Sequence, residues 1–245
     1  MTRRIIPLLL GVWLALAGCA ENSASLVIVQ NQAPEDGCDA SNDVADNFLS
    51  HGILDVGAAR YGITPQYIVW LVLENNLQST VESHGIELNQ VEITEAHIEL
   101  SLAQAGGDLG SEFTKFADYT FVTIPPDESR SVQVNVIPPN VAQRLTVAEG
   151  QFIEAVARVQ IIGERGGTEI ASNTVKFPIT LCYGCLVENI GPCDTATFPD
   201  TIEEGHTCNL SQDEFLHCCQ DPNAAGSDNP YRCPAVAATT ADTSK

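Results

Sequence analysis

Along residues 26–181 apolar and polar side chains alternate with a period of two, the pattern of strands that turn one face to a core and the other to water. β-Branched residues fill many of the apolar positions, the breaks fall at Gly, Pro and Asn clusters, and helical periodicity is nearly absent. The pattern predicts a first short strand over residues 25–30. Residues 67–73, Tyr-Ile-Val-Trp-Leu-Val-Leu, do not alternate; this continuous apolar run predicts a central strand covered on both faces, with Trp70 in the core. Val91 and Ile93 carry the apolar positions on odd numbers and residues 96–102 on even ones, so a bulge or bend is expected between Ile93 and Ala96.

Residues 119–124 and 132–136 flank Pro125-Pro-Asp-Glu-Ser129, which predicts either a hairpin or a crossing between sheets, because proline cannot donate to a ladder. Residues 152–162 and 168–181 flank Gly163-Glu-Arg-Gly-Gly167 and read as one long hairpin. On its second arm Ala171, Asn173, Val175, Phe177, Ile179 and Leu181 are expected on one face, with Ser172, Thr174, Lys176 and Thr180 on the other. Pro178 suggests an edge. Residues 43–50 could form one or two helical turns, although the glycines at 52, 57 and 62 favour a strand over residues 48–56.

About seven to nine strands spaced by turn signals point to an all-β fold, an antiparallel β-sandwich of immunoglobulin-like character. The Cys, Trp, Cys order of true immunoglobulin domains is missing, so no membership of that family follows. The organisation expected is a sandwich domain over residues 26–181, a small cysteine-rich, disulfide-stapled segment over 182–233 and a disordered tail over 234–245. The 182–233 segment has too little apolar material to hold itself by burial, and cross-links are the usual remedy. Within it Ser211-Gln-Asp-Glu214 has the form of a capping box, which predicts a short helix through Phe215 and Leu216 to Cys218.

The first nineteen residues stand apart. Arg3 and Arg4 precede an apolar stretch over residues 5–17 that is too short to span a bilayer, and Leu16-Ala17-Gly18-Cys19 follows. These four residues form a lipobox, and in this the N-terminus resembles bacterial lipoproteins. The resemblance implies cleavage after residue 18, a diacylglycerol on the Cys19 sulfur, acylation of the new amine, and a short tether over 19–25. It also implies a cell-envelope location, and Ala20 in place of Asp, by resemblance to enterobacterial lipoproteins, argues for the outer membrane. With Cys19 lipidated, eight of the nine cysteines remain to pair: Cys38, Cys182, Cys185, Cys193, Cys208, Cys218, Cys219 and Cys233. An even number in an exported chain predicts four disulfides, of connectivity that sequence leaves open; Cys38 is a candidate to staple the sandwich to the later segment.

Removing residues 1–18 takes two of the eleven Lys and Arg away and leaves nine against thirty-two Asp and Glu. Such an acidic surface repels nucleic acid and anionic lipid headgroups, so the membrane is reached through lipid and the remaining partner is an envelope protein or ligand.

The chemistry-bearing residues are few. Cys182-Tyr-Gly-Cys185 has the spacing of thiol oxidoreductases, but it follows a strand and runs into Gly-Pro, so a structural disulfide is expected. Cys182, Cys185, Cys208, Cys218, His206 and His217 are zinc-type ligands whose spacing fits no compact zinc module. Calcium has oxygen-rich stretches at residues 36–43 and 221–229, neither of them an EF-hand loop. His51, His84, His97, His206 and His217 are scattered, and the pairs Glu203-Glu204 and Asp213-Glu214 are what an acidic composition supplies. No catalytic residue, metal or cofactor is assigned. The expectation is a non-enzymatic envelope lipoprotein with a binding, structural or assembly role; the alternative is an envelope enzyme, a thiol-disulfide oxidoreductase using Cys182 and Cys185 or a hydrolase whose site forms only in three dimensions.

Overall fold

The structure, a computed structural model, describes residues 25–35, 38–44, 47–80, 86–103, 114–193, 203–224 and 229–234. The leader with Cys19, residues 20–24 of the tether, His84 and residues 235–245 of the tail lie outside them. Two sheets face each other across an apolar core. One has three strands in the order β1 (Leu26–Gln32), β3 (Tyr67–Asn75), β6 (Glu128–Ile137). The other has five, in the order β2 (Gly52–Asp55), β8 (Thr168–Cys182), β7 (Phe152–Arg165), β4 (Val91–Ala103), β5 (Lys115–Ile124). Alternate residues of each sheet meet in the middle, Val69, Leu71 and Leu73 from β3 against Ile98, Leu100, Val159, Ile161 and Ile179 from β4, β7 and β8, all with almost no exposed surface. Burial of this kind supplies about 1.5–3 kcal/mol per large side chain and is the main stabilising term of the sandwich.

The β7–β8 hairpin turns at Gly166 and Gly167, whose φ of 55° and 79° are conformations that favour glycine. The break in β4 is a bulge at Thr94, where the pairing with β7 jumps from Ile93 to Glu95. Residues 125–127 turn out to be a crossing between sheets, since β5 and β6 belong to different ones. β3 is central and buried on both faces as expected. β8 is an edge strand as far as Pro178, because β2 joins it only from Ile179 onward.

Three expectations change. The sandwich is not wholly antiparallel: β2 runs parallel to β8, because direction is set by the route of the connections, which alternation does not encode. The first half of β8 has the opposite phase to the one expected. A register shift opposite Ile161 leaves Ala171 exposed and Ser172 buried, its hydroxyl accepting from the Ile161 N–H at 2.9 Å. The strand expected over residues 48–56 is only four residues long and passes at Val56 into a 3₁₀ helix, Val56–Tyr61.

Both open sides of the sandwich are closed by side chains. Asp118 of β5 accepts the Asn135 N–H of β6 at 2.7 Å, and Asn173 of β8 takes both backbone groups of Ile28 in β1, accepting its N–H at 2.7 Å and donating to its carbonyl at 3.2 Å. Such contacts satisfy edge groups that would otherwise be free to recruit another strand.

The cysteine-rich segment forms a third, small sheet in the order β9 (Val187–Pro192), β10 (Leu216–Gln220), β11 (Tyr231–Arg232), with β9 and β10 parallel. The helix expected after residue 211 is therefore absent, and the last residues expected in it, Leu216 to Cys218, lie in β10. The Ser211 hydroxyl donates to Asn209 and Gln66 instead of capping a helix, Asp213 adopts a φ of 63°, and Leu216 is fully buried beside Val187. A helix of about one turn has little stability of its own, so the ladder and the burial of Leu216 decide the outcome.

Candidate functional site in the disulfide-stapled layer

All eight described cysteines are paired: Cys38 with Cys208, Cys182 with Cys185, Cys193 with Cys219, and Cys218 with Cys233. Cys218 and Cys219 are neighbours on a strand and so project to opposite faces, which lets one residue pair join two partners on two sides of β10. Cys38–Cys208 fastens the loop after β1 to the layer. Both lie over the outer face of β3, where the Trp70 indole donates to the Cys38 carbonyl at 3.1 Å and its ring lies 5.8 Å from that of His206.

Polar side chains lock the layer to the sandwich. β1 pairs with β3 only as far as Trp70, and beyond that point Gln212 takes the place of a strand: its amide accepts the Ile68 N–H at 3.0 Å and donates to the Ile68 carbonyl at 3.2 Å. The Asp213 carboxylate accepts from the Tyr67 hydroxyl at 2.8 Å and the Ile53 N–H at 2.8 Å. Gly52 makes the first contact possible, since a Cβ there would stand 1.9 Å from the Tyr67 hydroxyl oxygen. Burial pushes the Asp213 carboxyl above its ordinary range, and burial next to Asp213 raises the Tyr67 phenol, so that the Tyr67 proton stays in place. His206 is held down to about 4 by burial, and its Nδ1 accepts two backbone N–H groups, from Cys208 and Asn209, each at 3.2 Å.

Asp55, fully buried at the end of β2, organises the turn that carries the C-x-x-C motif. One carboxylate oxygen accepts from Gly57 and Gly184 at 2.8 and 2.7 Å, the other from Leu186 and Val187 at 3.0 and 3.3 Å. A ligand atom of Asp55 and the sulfurs of Cys182 and Cys185 lie within 4.8 Å of one another, the kind of grouping that can hold a metal. The donor set does not fit one: the sulfurs are bonded to each other and the carboxylate is surrounded by four backbone donors. The other zinc-type candidates fare similarly. Cys208 and Cys218 are in disulfides, and His217 accepts the Glu203 N–H on Nδ1 while Nε2 faces Glu188 at 3.6 Å.

In the calcium-type stretches, Asn42 accepts from Ser131 and the Asp43 carbonyl accepts from Gln32. Asp221 is paired with Arg232, and the Asn223 N–H together with Arg232 holds its carboxyl below the usual range. His51 and His97 lie on the outer face of the five-stranded sheet, His51 bonded to Thr180 at 2.9 Å and His97 to Glu95 at 2.8 Å.

The layer has more than one sizeable concavity among the described residues: one of about 510 Å³ is lined by Glu188, Glu203, Asp213, Glu214, Phe215 and His217, and beside the 3₁₀ helix lies a cleft of about 590 Å³ between residues 61–66, Cys208–Leu210 and residues 229–234. Tyr61 and Tyr231 meet edge to face in its wall, 4.6 Å between ring centres, and the Asn229 amide donates to the Tyr61 carbonyl at 3.0 Å. Its lining offers aromatic surface, amides and the exposed Arg232, and includes no histidine or carboxylate. Groups of this kind bind; a nucleophile beside a base is not among them. Sequence reading missed Asp55, Gln212 and this cleft, since the partners that define them, apart from Gly57, come from segments more than a hundred residues away. A comparison with protein-family models matches no family, and a comparison with curated proteins matches no relative.

Proposed function

We propose that the protein is a lipid-anchored protein of the bacterial cell envelope that binds a partner or ligand and catalyses no reaction. The observation that carries the reading is the cysteine pairing: four intrachain disulfides use the eight later cysteines and leave Cys19, at the end of the lipobox, as the one thiol for lipid. The disulfides suit an oxidising compartment. The Cys182–Cys185 bridge sits on a buried, fully hydrogen-bonded carboxylate rather than at a helix N-terminus, which favours a structural over a redox role. The tether of residues 19–25 reaches about 25 Å when extended, so the body stands close to its membrane, by this reading the outer one.

The test is metabolic labelling with a palmitate analogue, together with fractionation of membranes on a density gradient. The wild-type chain is expected to carry label and to sediment with outer membrane. Cys19→Ala is expected to lose the label and move to the soluble fraction. Unlabelled wild type, or a variant that stays with the membrane, would overturn the reading.

A further inference from the structure

The outer face of the five-stranded sheet carries a feature at odds with the rest of this acidic chain. Strand register places Lys115 opposite Glu99, Glu99 opposite Arg158, and Arg158 opposite Lys176, so one row crossing β5, β4, β7 and β8 holds three cations and one carboxylate. These are three of the nine cations that follow Cys19. Glu99 is shared, with Lys115 Nζ at 3.3 Å and Arg158 Nε at 3.7 Å on its two oxygens, and Lys176 has no carboxylate partner among the described residues. Of the other carboxylates on this face, Glu95 is engaged by His97 at 2.8 Å and Glu154 by His51 at 3.6 Å, while Glu92, Glu164 and Glu169 stand opposite one another as a separate acidic set, roughly 20 Å from Arg158 along β7 at about 3.3 Å per residue. The row therefore has a local positive excess, and the remote acidic charges are screened over about 8–10 Å at physiological salt.

A shallow cleft of about 310 Å³ opens beside the row, lined in part by Gln160 and Thr174. Further along β5, roughly 13 Å from Lys115 at about 3.3 Å per residue, Tyr119 is 73% exposed, and Phe121 beyond it is 78% exposed. Exposed rings two residues apart on a strand project to the same side, and here that is the side of Lys115. Burying such rings is favourable only against a partner.

We propose that this face binds a glycan that carries isolated carboxylate or phosphate groups on an otherwise neutral chain. The acidic group sits on Lys115, Arg158 and Lys176, and the sugar rings lie along β5 against Tyr119 and Phe121. Charge complementarity selects the acid. The small cleft and the two rings at a spacing of a few sugars select an extended oligosaccharide over a protein surface, which would bring further carboxylates against the acidic body. The proposal deepens the binding role argued above and names its ligand class; it does not depend on the lipid anchor.

The test uses the chain expressed behind its own leader and purified in its processed form. Its probes are a fluorescent hyaluronate tetrasaccharide, the same tetrasaccharide with its carboxyls reduced to alcohols, and vesicles of phosphatidylglycerol. The acidic tetrasaccharide is expected to bind at least about tenfold more tightly than the reduced one. Lys115→Ala with Arg158→Ala should remove about tenfold or more of that affinity, and Tyr119→Ala with Phe121→Ala severalfold. All four residues are exposed or half-exposed, and unchanged circular dichroism would verify folding. Equal affinity for the two tetrasaccharides, or binding that survives the charge variant, would overturn the proposal. Vesicle binding that is lost in the charge variant, without tetrasaccharide binding, would overturn it in favour of a lipid headgroup. Failure of the palmitate label would leave these outcomes untouched, so the two readings fail separately.

Discussion

Between the two sheets the contacts are aliphatic, Leu71 and Val134 from one side and Ile98 and Ile161 from the other, whereas the cysteine-rich layer holds the start of β3 by hydrogen bonds, Asn209 and Ser211 to Gln66, Gln212 to Ile68 and Asp213 to the Tyr67 hydroxyl. The layer has its own small apolar cluster, Ala58, Tyr61, Val187, Leu210, Leu216 and Cys218, far smaller than the core of the sandwich. The difference follows from composition. Residues 26–181 carry enough β-branched and aliphatic side chains to bury a sheet-to-sheet interface, while the layer closes its deficit with disulfides and with hydrogen bonds to β3. A dependence in one direction follows: the layer needs the sheet on which it rests, but the sheet does not need the whole layer.

The largest test of that asymmetry removes the longest cross-link. Cys38 and Cys208 are 170 residues apart, and replacing both by Ser is expected to cost up to about 5 kcal/mol on chain-entropy grounds. Trp70, the only tryptophan left once residues 1–18 are removed, reports this junction by fluorescence. Its signal should change at lower urea than the hydrogen exchange of residues 155–161 in β7. Simultaneous loss would show that layer and sandwich form one cooperative unit.

A smaller effect is expected from Ile161→Ala in the core, where the side chain is fully buried and its truncation costs about 3–4 kcal/mol. Here Trp70 fluorescence and β7 exchange should shift together, because the layer loses its support. If Trp70 keeps its wild-type urea midpoint, the direction of dependence is wrong.

The smallest effect is a pH effect at His206. Buried and held down to about 4, it is neutral in the fold, whereas in the unfolded chain it titrates at its ordinary value of 6.5. Its contribution is therefore complete above that ordinary value and is lost as the pH falls toward 4. Between pH 7.5 and 4.5 this amounts to about 2–3 kcal/mol. Unfolding free energies from urea curves followed by Trp70 should fall by that amount more in wild type than in His206→Gln. An identical acid response in the variant would remove His206 from the account.

Much of the sandwich is legible in the chain because its signals are local. The period-two alternation, the continuous run at β3, the phase change at Thr94 and the paired glycines of the β7–β8 turn each depend on a few neighbouring residues. The layer is less legible for the same reason. Ser211-Gln-Asp-Glu214 carries a local helix signal, and a strand forms because Leu216 finds Val187 and the parallel edge of β9. The candidate sites were the least legible. Lys115, Glu99, Arg158 and Lys176 come from four strands and form a row only through register, and the 590 Å³ cleft is walled by segments that only the fold brings together.

The sequence by itself determined the strand content, the need for cross-links after Leu181, the even set of eight cysteines and the expectation of a lipid on Cys19, since each follows from local patterning or from counting. Only the tertiary structure decided which cysteines join, which way β2 and β9 run, and how Gln212 and Asp55 satisfy distant backbone groups. Those outcomes depend on which segments meet in space, and meeting is set by burial and by the hydrogen bonds that burial makes obligatory.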